Sequence, residues 1–475
     1  MAVLITHALT RTVGFAKSYA PIAFRGFATK LNYVPIKETT GQIQTTARRP
    51  EFRKHSQQTS NLWIHRMKDR ILQLTKQNNL TPGLAESPAS IDGRLNDRTM
   101  NDSFVQVFLP FRSDPTLIED YLNPWGRIRV GKVLEDLDAL AASISFLHCS
   151  EISSNLTIVT ATVDRIDIIQ EIPKDDDISI FGHVTYVGNS SMEITIHMQK
   201  IPKNSGITAE EMNDEASPYR RTMVPKMNER TENDLILVAK FIMVALDSET
   251  GKSAKVPQIR FQNETEREIF ANGAIHKAAK QNETHAALIN RPPSVEEMSF
   301  VHALYKEYIK YVPIGEGGEG VPKPENIIWM RDTLLQNINL TYPQDRNIHN
   351  KIFGGYLMRL AYEVASTTGM IFCKSPLKFL SLDDVTFRRP VEIGDILDLR
   401  SQVVYTHESK VVIKVVAHIA DAQKGTSVLS NEFWFTFDAV SPIPGKTRRI
   451  IPRTYNDCML YLEGKRRFSS LENFP

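Results

Sequence analysis

Pro343-Gln-Asp-Arg-Asn347-Ile-His-Asn-Lys-Ile-Phe353-Gly354-Gly355-Tyr-Leu-Met-Arg-Leu-Ala-Tyr362-Glu363 is the stretch on which the reading of this chain turns. A polar loop runs into paired glycines, and a largely apolar helix is predicted over 354–372. Glycines at a helix start let backbone N–H groups approach a ligand closely, at the positive end of the helix dipole. Such an N-terminus can stabilise a developing oxyanion. Asn347, in the loop feeding the helix, is placed to orient a water or a substrate oxygen. Taken alone, a glycine pair before a helix more often than not only permits tight helix–sheet packing, with no chemistry attached.

The pattern around this helix occurs twice. Phe104–Leu109 reads as a strand, 131–147 as a helix apolar on most sides, and 155–169, 178–187, 191–200 and 234–246 as β-branched strands. Gly188-Asn-Ser-Ser is a hairpin signal between two of them. In the second half a mixed segment from Trp329 to Leu340 leads into the helix, and strands follow at 383–388, 396–405, 410–420 and 428–438. Ile178-Ser-Ile aligns with Leu397-Asp-Leu, His183-Val-Thr-Tyr with Gln402-Val-Val-Tyr, and Met192-Glu-Ile-Thr-Ile with Val411-Val-Ile-Lys-Val. Asp167…Pro173 likewise aligns with Asp384…Pro390. A repeat this long is architectural. One helix on one antiparallel sheet has a limited core, so two such halves in one chain predict an intramolecular pseudo-dimer.

The remainder organises around this pair. The expected divisions are a leader at 1–30, a polar extension at 31–100, and a first domain at 101–255 with a charged insertion at 203–232. A helical linker at 256–322, a second domain at 323–440 and a surface-wrapping tail at 441–475 complete them. The leader holds Arg11, Lys17, Arg25 and Lys30 and no acid before Glu38, the character of a mitochondrial transit peptide with the matrix as destination. A net charge of +2 leaves no footprint for nucleic acid. No apolar run approaches the ~20 residues that span a bilayer. Three scattered cysteines offer neither a disulfide framework nor a metal site, and no metal is expected.

The stretch at 343–363 resembles the type II acyl-CoA thioesterases of the hotdog superfamily, whose central helix opens after an Asn-bearing loop with a Phe-Gly-Gly turn. Val130-Gly131-Lys-Val-Leu-Glu-Asp136-Leu-Asp138 resembles them in the first half. The likeness covers roughly residues 100–465. It implies an α+β fold of two tandem hotdog domains, each a long central helix wrapped by an antiparallel sheet, and hydrolysis of acyl-CoA to free acid and CoA. It also implies a site between the halves that joins an Asn of one to a helix Asp of the other. Further assembly into a homo-oligomer, such as a trimer of double hotdogs, is implied as well. No cofactor is expected beyond the coenzyme A of the substrate.

Aligning Gly131 with Gly355 sets Asp138 opposite Tyr362 and Asn123 opposite Asn347, each pair fifteen residues apart. One composite site then joins Asp138, Asn347 and the Gly354/Gly355 helix start. The other joins Asn123 with Tyr362, with Glu363 in reserve, and lacks the carboxylate. Asp138 shares its helical side with Leu134, Ala141 and Ala142, so partial desolvation should raise its pKa toward that of a useful general base. Direct nucleophilic attack is the other role open to it. Arg127, Arg129, Lys351, Arg388 and Arg389 are candidates for the phosphates of CoA. Two rival readings stand beside this one. A hotdog hydratase or dehydratase would want an interior His, which neither central helix offers. A non-catalytic acyl-CoA-binding or assembly protein would need no Asp138.

Overall fold

The computed structural model describes residues 97–150, 156–202, 234–286, 288, 290–312, 321–346, 351–421, 425–440 and 448–472. The leader, nearly all of the polar extension, the insertion at 203–232, Asn347 and the start of the tail lie outside the described residues.

In the first half, β1 (Val105–Leu109), α1 (Pro115–Tyr121) and the central helix α2 (Val130–His148) precede β2 (Leu156–Ile168), β3 (Ile178–Val187), β4 (Ser191–Lys200) and β5 (Leu235–Asp247). Helices α3 (Glu264–Ala286) and α4 (Val295–Tyr308) form the linker. The second half runs β6 (Ile327–Trp329), β7 (Leu335–Leu340), central helix α5 (Gly354–Cys373), β8 (Leu377–Thr386), β9 (Ile396–His407), β10 (Lys410–Asp421) and β11 (Thr426–Ala439). After it come β12 (Arg449–Ile451) and α6 (Tyr455–Glu472).

Ten strands make one sheet in the order β1-β3-β4-β5-β2-β8-β11-β10-β9-β7. Each half contributes five strands in the same internal order, and the halves join where β2 and β8 pair antiparallel, with Val163 opposite Val385 and Ile166 opposite Leu382. This is the double-hotdog α+β architecture. Both central helices pack on the sheet and on each other. A Cβ built on Gly131 would meet Arg359, and one on Gly355 would meet Glu135, so the helices run antiparallel and cross at their glycines. Leu134, Leu137, Leu140 and Ile144 are fully buried because α2 has the sheet on one side and α5 on another. Each such side chain is worth roughly 1.5–3 kcal/mol of burial.

Two elements differ from the sequence reading. Strand β8 begins at Leu377, six residues before the expected start, since Leu377-Lys-Phe-Leu continues the alternation and pairs with β11 through Phe379↔Phe437. The tail carries a full helix, α6, whose residues Cys458, Tyr461, Leu462 and Phe468 are buried. Their helical spacing was a legible signal. Tyr461 and Phe468 pack on Tyr405 of β9, and Arg467 reaches Asp383 and Asp384 of β8. On that same strand, Lys280 of α3 pairs with Asp384 at 2.9 Å.

Candidate active site

Asp138 is 1% exposed, on the side of α2 that faces α5. Its Oδ2 accepts a 2.7 Å hydrogen bond from the Gly355 backbone N–H, and its Oδ1 accepts one of 2.8 Å from the Thr160 hydroxyl on β2. Burial pushes its pKa up to about 6, while those two donors pull the other way. A carboxylate of the first half is thus seated on the helix N-terminus of the second, where the dipole favours negative charge. Gly354 permits that approach, because a Cβ there would stand 3.0 Å from Asp138 Oδ2 and 3.4 Å from the Phe387 ring. Thr160 sits at a β-bulge, the register of β2 on β5 slipping between Thr160 and Thr162. A bulge re-aims a side chain, and the Ala161 carbonyl freed there accepts from Phe387 N at 2.9 Å.

On either side of Asn347 in sequence, Arg346 and Ile352 form an isolated bridge, and Phe353 N donates to Asp345 O at 3.2 Å. The matching bridge in the first half joins Leu122 and Ile128. Leu122 to Arg346, Ile128 to Ile352 and Gly131 to Gly355 are all separated by 224 residues, so the two helix entries are built alike.

The counterpart of Asp138 is Tyr362, and ladder register identifies the counterpart of Thr160. Thr160 pairs with Met243, which pairs with Met192; Phe379 pairs with Phe437, which pairs with Val411. Met192 and Val411 are repeat mates, so Thr160 matches Phe379. Tyr362 and Phe379 meet ring to ring at 5.3 Å, with Phe435 and Phe437 closing around Tyr362 at 6.0 and 5.8 Å. Burial raises the Tyr362 pKa. Glu363 pairs with Arg129 at 2.9 Å instead of facing a cleft with Tyr362. Asn123 Oδ1 caps its own turn, accepting from Trp125 N and Arg127 N, both at 3.0 Å. The second set therefore forms an aromatic cluster, an ion pair and a turn cap.

Four of the five candidate phosphate cations have carboxylate partners. Arg129 holds Glu363, Arg127 lies 3.5 Å from Glu171, Lys351 pairs with Glu392, and Arg388 with Glu432 at 3.1 Å. Arg389 is exposed.

Residues 349–426 match the family model described as Thioesterase superfamily. Acyl-coenzyme A thioesterase 9, mitochondrial, of Bos taurus is 34% identical over 381 residues, spanning 79% of this chain and 80% of the relative. The protein of the same name in Homo sapiens is 34% identical over 386 residues, covering 80% of each. This chain belongs to the acyl-CoA thioesterase family. Acyl-coenzyme A thioesterase 4, mitochondrial, of Humulus lupulus is 37% identical over 379 residues, 76% of this chain and 65% of that one. A putative oleoyl thioesterase from Lactobacillus plantarum is 10% identical, with a TM-score of 0.40 over 72% of this chain and all of that one. In this member of the acyl-CoA thioesterase family, Thr160, the hydrogen-bond donor to Asp138, is the residue of the candidate site that sequence reading missed. A lone Thr in a β-branched strand gives no signal until the bulge turns it toward Asp138. Among the described residues no helix is long and apolar enough to cross a membrane.

Proposed function

We propose that this chain hydrolyses acyl-CoA thioesters to the free acid and coenzyme A, in mitochondria, at the meeting point of Asp138 and the start of α5. The observation that carries the reading is the buried carboxylate with a pKa near 6, held between Thr160 and the Gly355 N–H. Near neutral pH such a group is ionised yet basic enough to take a proton. In this reading Asp138 removes a proton from water as the water oxygen bonds to the thioester carbonyl carbon. The C–S bond then breaks, and the proton passes to the departing thiolate. With the Gly355 N–H given to Asp138, the other backbone N–H groups at the start of α5 face the carbonyl oxygen, where charge develops. Asn347, before that helix in sequence, orients the water or the carbonyl. The mitochondrial placement rests on the acid-free basic leader and on the names of the relatives.

Thiol release from acyl-CoA substrates tests this directly. Wild type is expected to turn over, with Asp138→Asn reduced by about 10³-fold or more and Asn347→Ala by about 10²-fold. Wild-type kcat is expected to rise with pH through about 6. Hydrolysis by both variants at the wild-type rate rejects the composite site. Tight acyl-CoA binding with no hydrolysis by wild type favours the binding-module reading.

A further inference from the structure

The contact between Asp138 and Gly355 spans two helices from different halves, and a misplacement of about 1 Å at such a contact can lower turnover some hundredfold. One turn further along each helix lies a second cross-half contact that the proposed chemistry does not use. Glu135 precedes Asp138 by three residues on α2, and Arg359 follows Gly355 by four on α5. Arg359 Nε stands 2.9 Å from Glu135 Oε1, close enough for an ion pair though out of hydrogen-bond alignment. Lys132 Nζ donates to the other Glu135 oxygen at 3.1 Å. All three side chains are largely buried, at 10% exposure for Glu135, 19% for Arg359 and 4% for Lys132.

The arrangement continues into the segment that leads into α5. The Arg359 guanidinium lies over the Tyr356 ring at 5.2 Å, and burial and then the nearby Asp345 charge raise the Tyr356 pKa. Asp345 also feels the Arg359 charge, and burial raises its pKa. Its carbonyl accepts from Phe353 N. The first half holds its equivalent segment differently. Tyr121, 224 residues before Asp345, donates to Asp136 of α2, in its own half, at 2.5 Å. The entry to α2 is tied to the opposite half as well, through Arg129 and Glu363, but among the described residues the charged tie beside Asp138 is the one between Arg359 and Glu135.

We infer that Arg359, with Glu135, Tyr356 and Asp345, is a positioning unit that holds the start of α5 in register with Asp138, so that the Gly355 N–H meets the carboxylate. The inference rests on the thioesterase reading of that site. No member of the unit needs to touch substrate; its effect passes through the alignment of Asp138 and Gly355.

Arg359→Lys keeps the charge but loses the planar fork and its stacking on Tyr356. Tyr356→Phe removes only the hydroxyl, which feels the Asp345 charge, and keeps the fold if the first variant does not. Both are measured in the full-length protein by thiol release against pH, beside a thermal melt. The expected result is a 10- to 100-fold loss of kcat for Arg359→Lys and a smaller loss for Tyr356→Phe. KM should stay within about threefold and the melting temperature should hardly move. The acid limb of kcat should shift to higher pH, because the Gly355 N–H that stabilises the ionised carboxylate is displaced. A merely structural role would lower stability and leave that limb in place. The inference is overturned if both variants keep kcat within twofold with an unmoved acid limb while Asp138→Asn is inactive. A wild type that hydrolyses no acyl-CoA overturns the thioesterase reading and this inference together.

Discussion

Two positions of one repeat have been given opposite chemistry. At the seam-facing point of α2 stand Asp138 and Thr160; at the same point of α5 stand Tyr362 and Phe379. Backbone, bridges and bulges around them correspond, with the register slipping beside Thr160 in one half and between Thr436 and Phe437, beside Phe379, in the other. The polar pair keeps a desolvated charge that two hydrogen bonds only partly offset, a destabilising arrangement. The aromatic set fills the matching space with rings. Duplication allows this division: one seam position can be strained for chemistry while its mate is packed for stability.

The sharpest way to break the comparison is to put the acid in the aromatic position. Tyr362→Asp would bury a carboxylate among Phe379, Phe435 and Phe437, with no hydroxyl where Thr160 would be. The expected destabilisation is on the order of 4 kcal/mol, read from the urea midpoint, with no gain in thiol release. Loss of less than about 1 kcal/mol would show that this region is not packed as a plug. Adding Phe379→Thr supplies a hydroxyl and should recover part of the loss.

The second test removes the strain from the polar position. Asp138 has a folded pKa near 6 against an unfolded value of about 3.9. Between those values the native state holds a proton that the unfolded chain has released. That contribution to stability is complete below about pH 4 and is lost as pH rises through 6. Asp138→Asn cannot ionise, so it should match wild type at pH 4 and exceed it at pH 8 by up to about 3 kcal/mol. Asp136, also raised to about 6 by burial, is present in both proteins and cancels in the difference. A variant no more stable than wild type at pH 8 would mean that Asp138 is better solvated than its 1% exposure implies.

The residues themselves show how much of this was readable in advance. The repeat, both central helices and the acid on the first were legible because helical and strand periods differ and because glycine and aspartate are rare at buried helix positions. The α6 helix was equally legible from Cys458, Tyr461, Leu462 and Phe468, but proline and basic residues before it drew the reading toward a tail. Thr160 was hidden by its bulge, since register cannot be read from one strand alone. The pairing of Arg129 with Glu363 was hidden too, because the two lie 234 residues apart and meet only across the seam. Composition distinguishes a cation that is free for phosphate from one already held by a carboxylate no better than it locates a bulge.

The gentlest probe of the comparison uses the two crossing glycines. A Cβ at Gly355 would stand 2.8 Å from the Glu135 Cα and 3.1 Å from its carbonyl oxygen, so the helices themselves must part. A Cβ at Gly131 would meet Arg359 Cγ at 3.0 Å, the stem of a side chain and not backbone. Both sites are helical, where alanine gains up to about 1 kcal/mol over glycine. That gain should leave Gly131→Ala within about 0.5 kcal/mol of wild type, because only one side chain has to move. Gly355→Ala should still lose about 1–2 kcal/mol, and with it the Asp138 contact and most of the turnover. If the two variants melt together, the helices have slack at both crossings, and the asymmetry lies in the side chains alone.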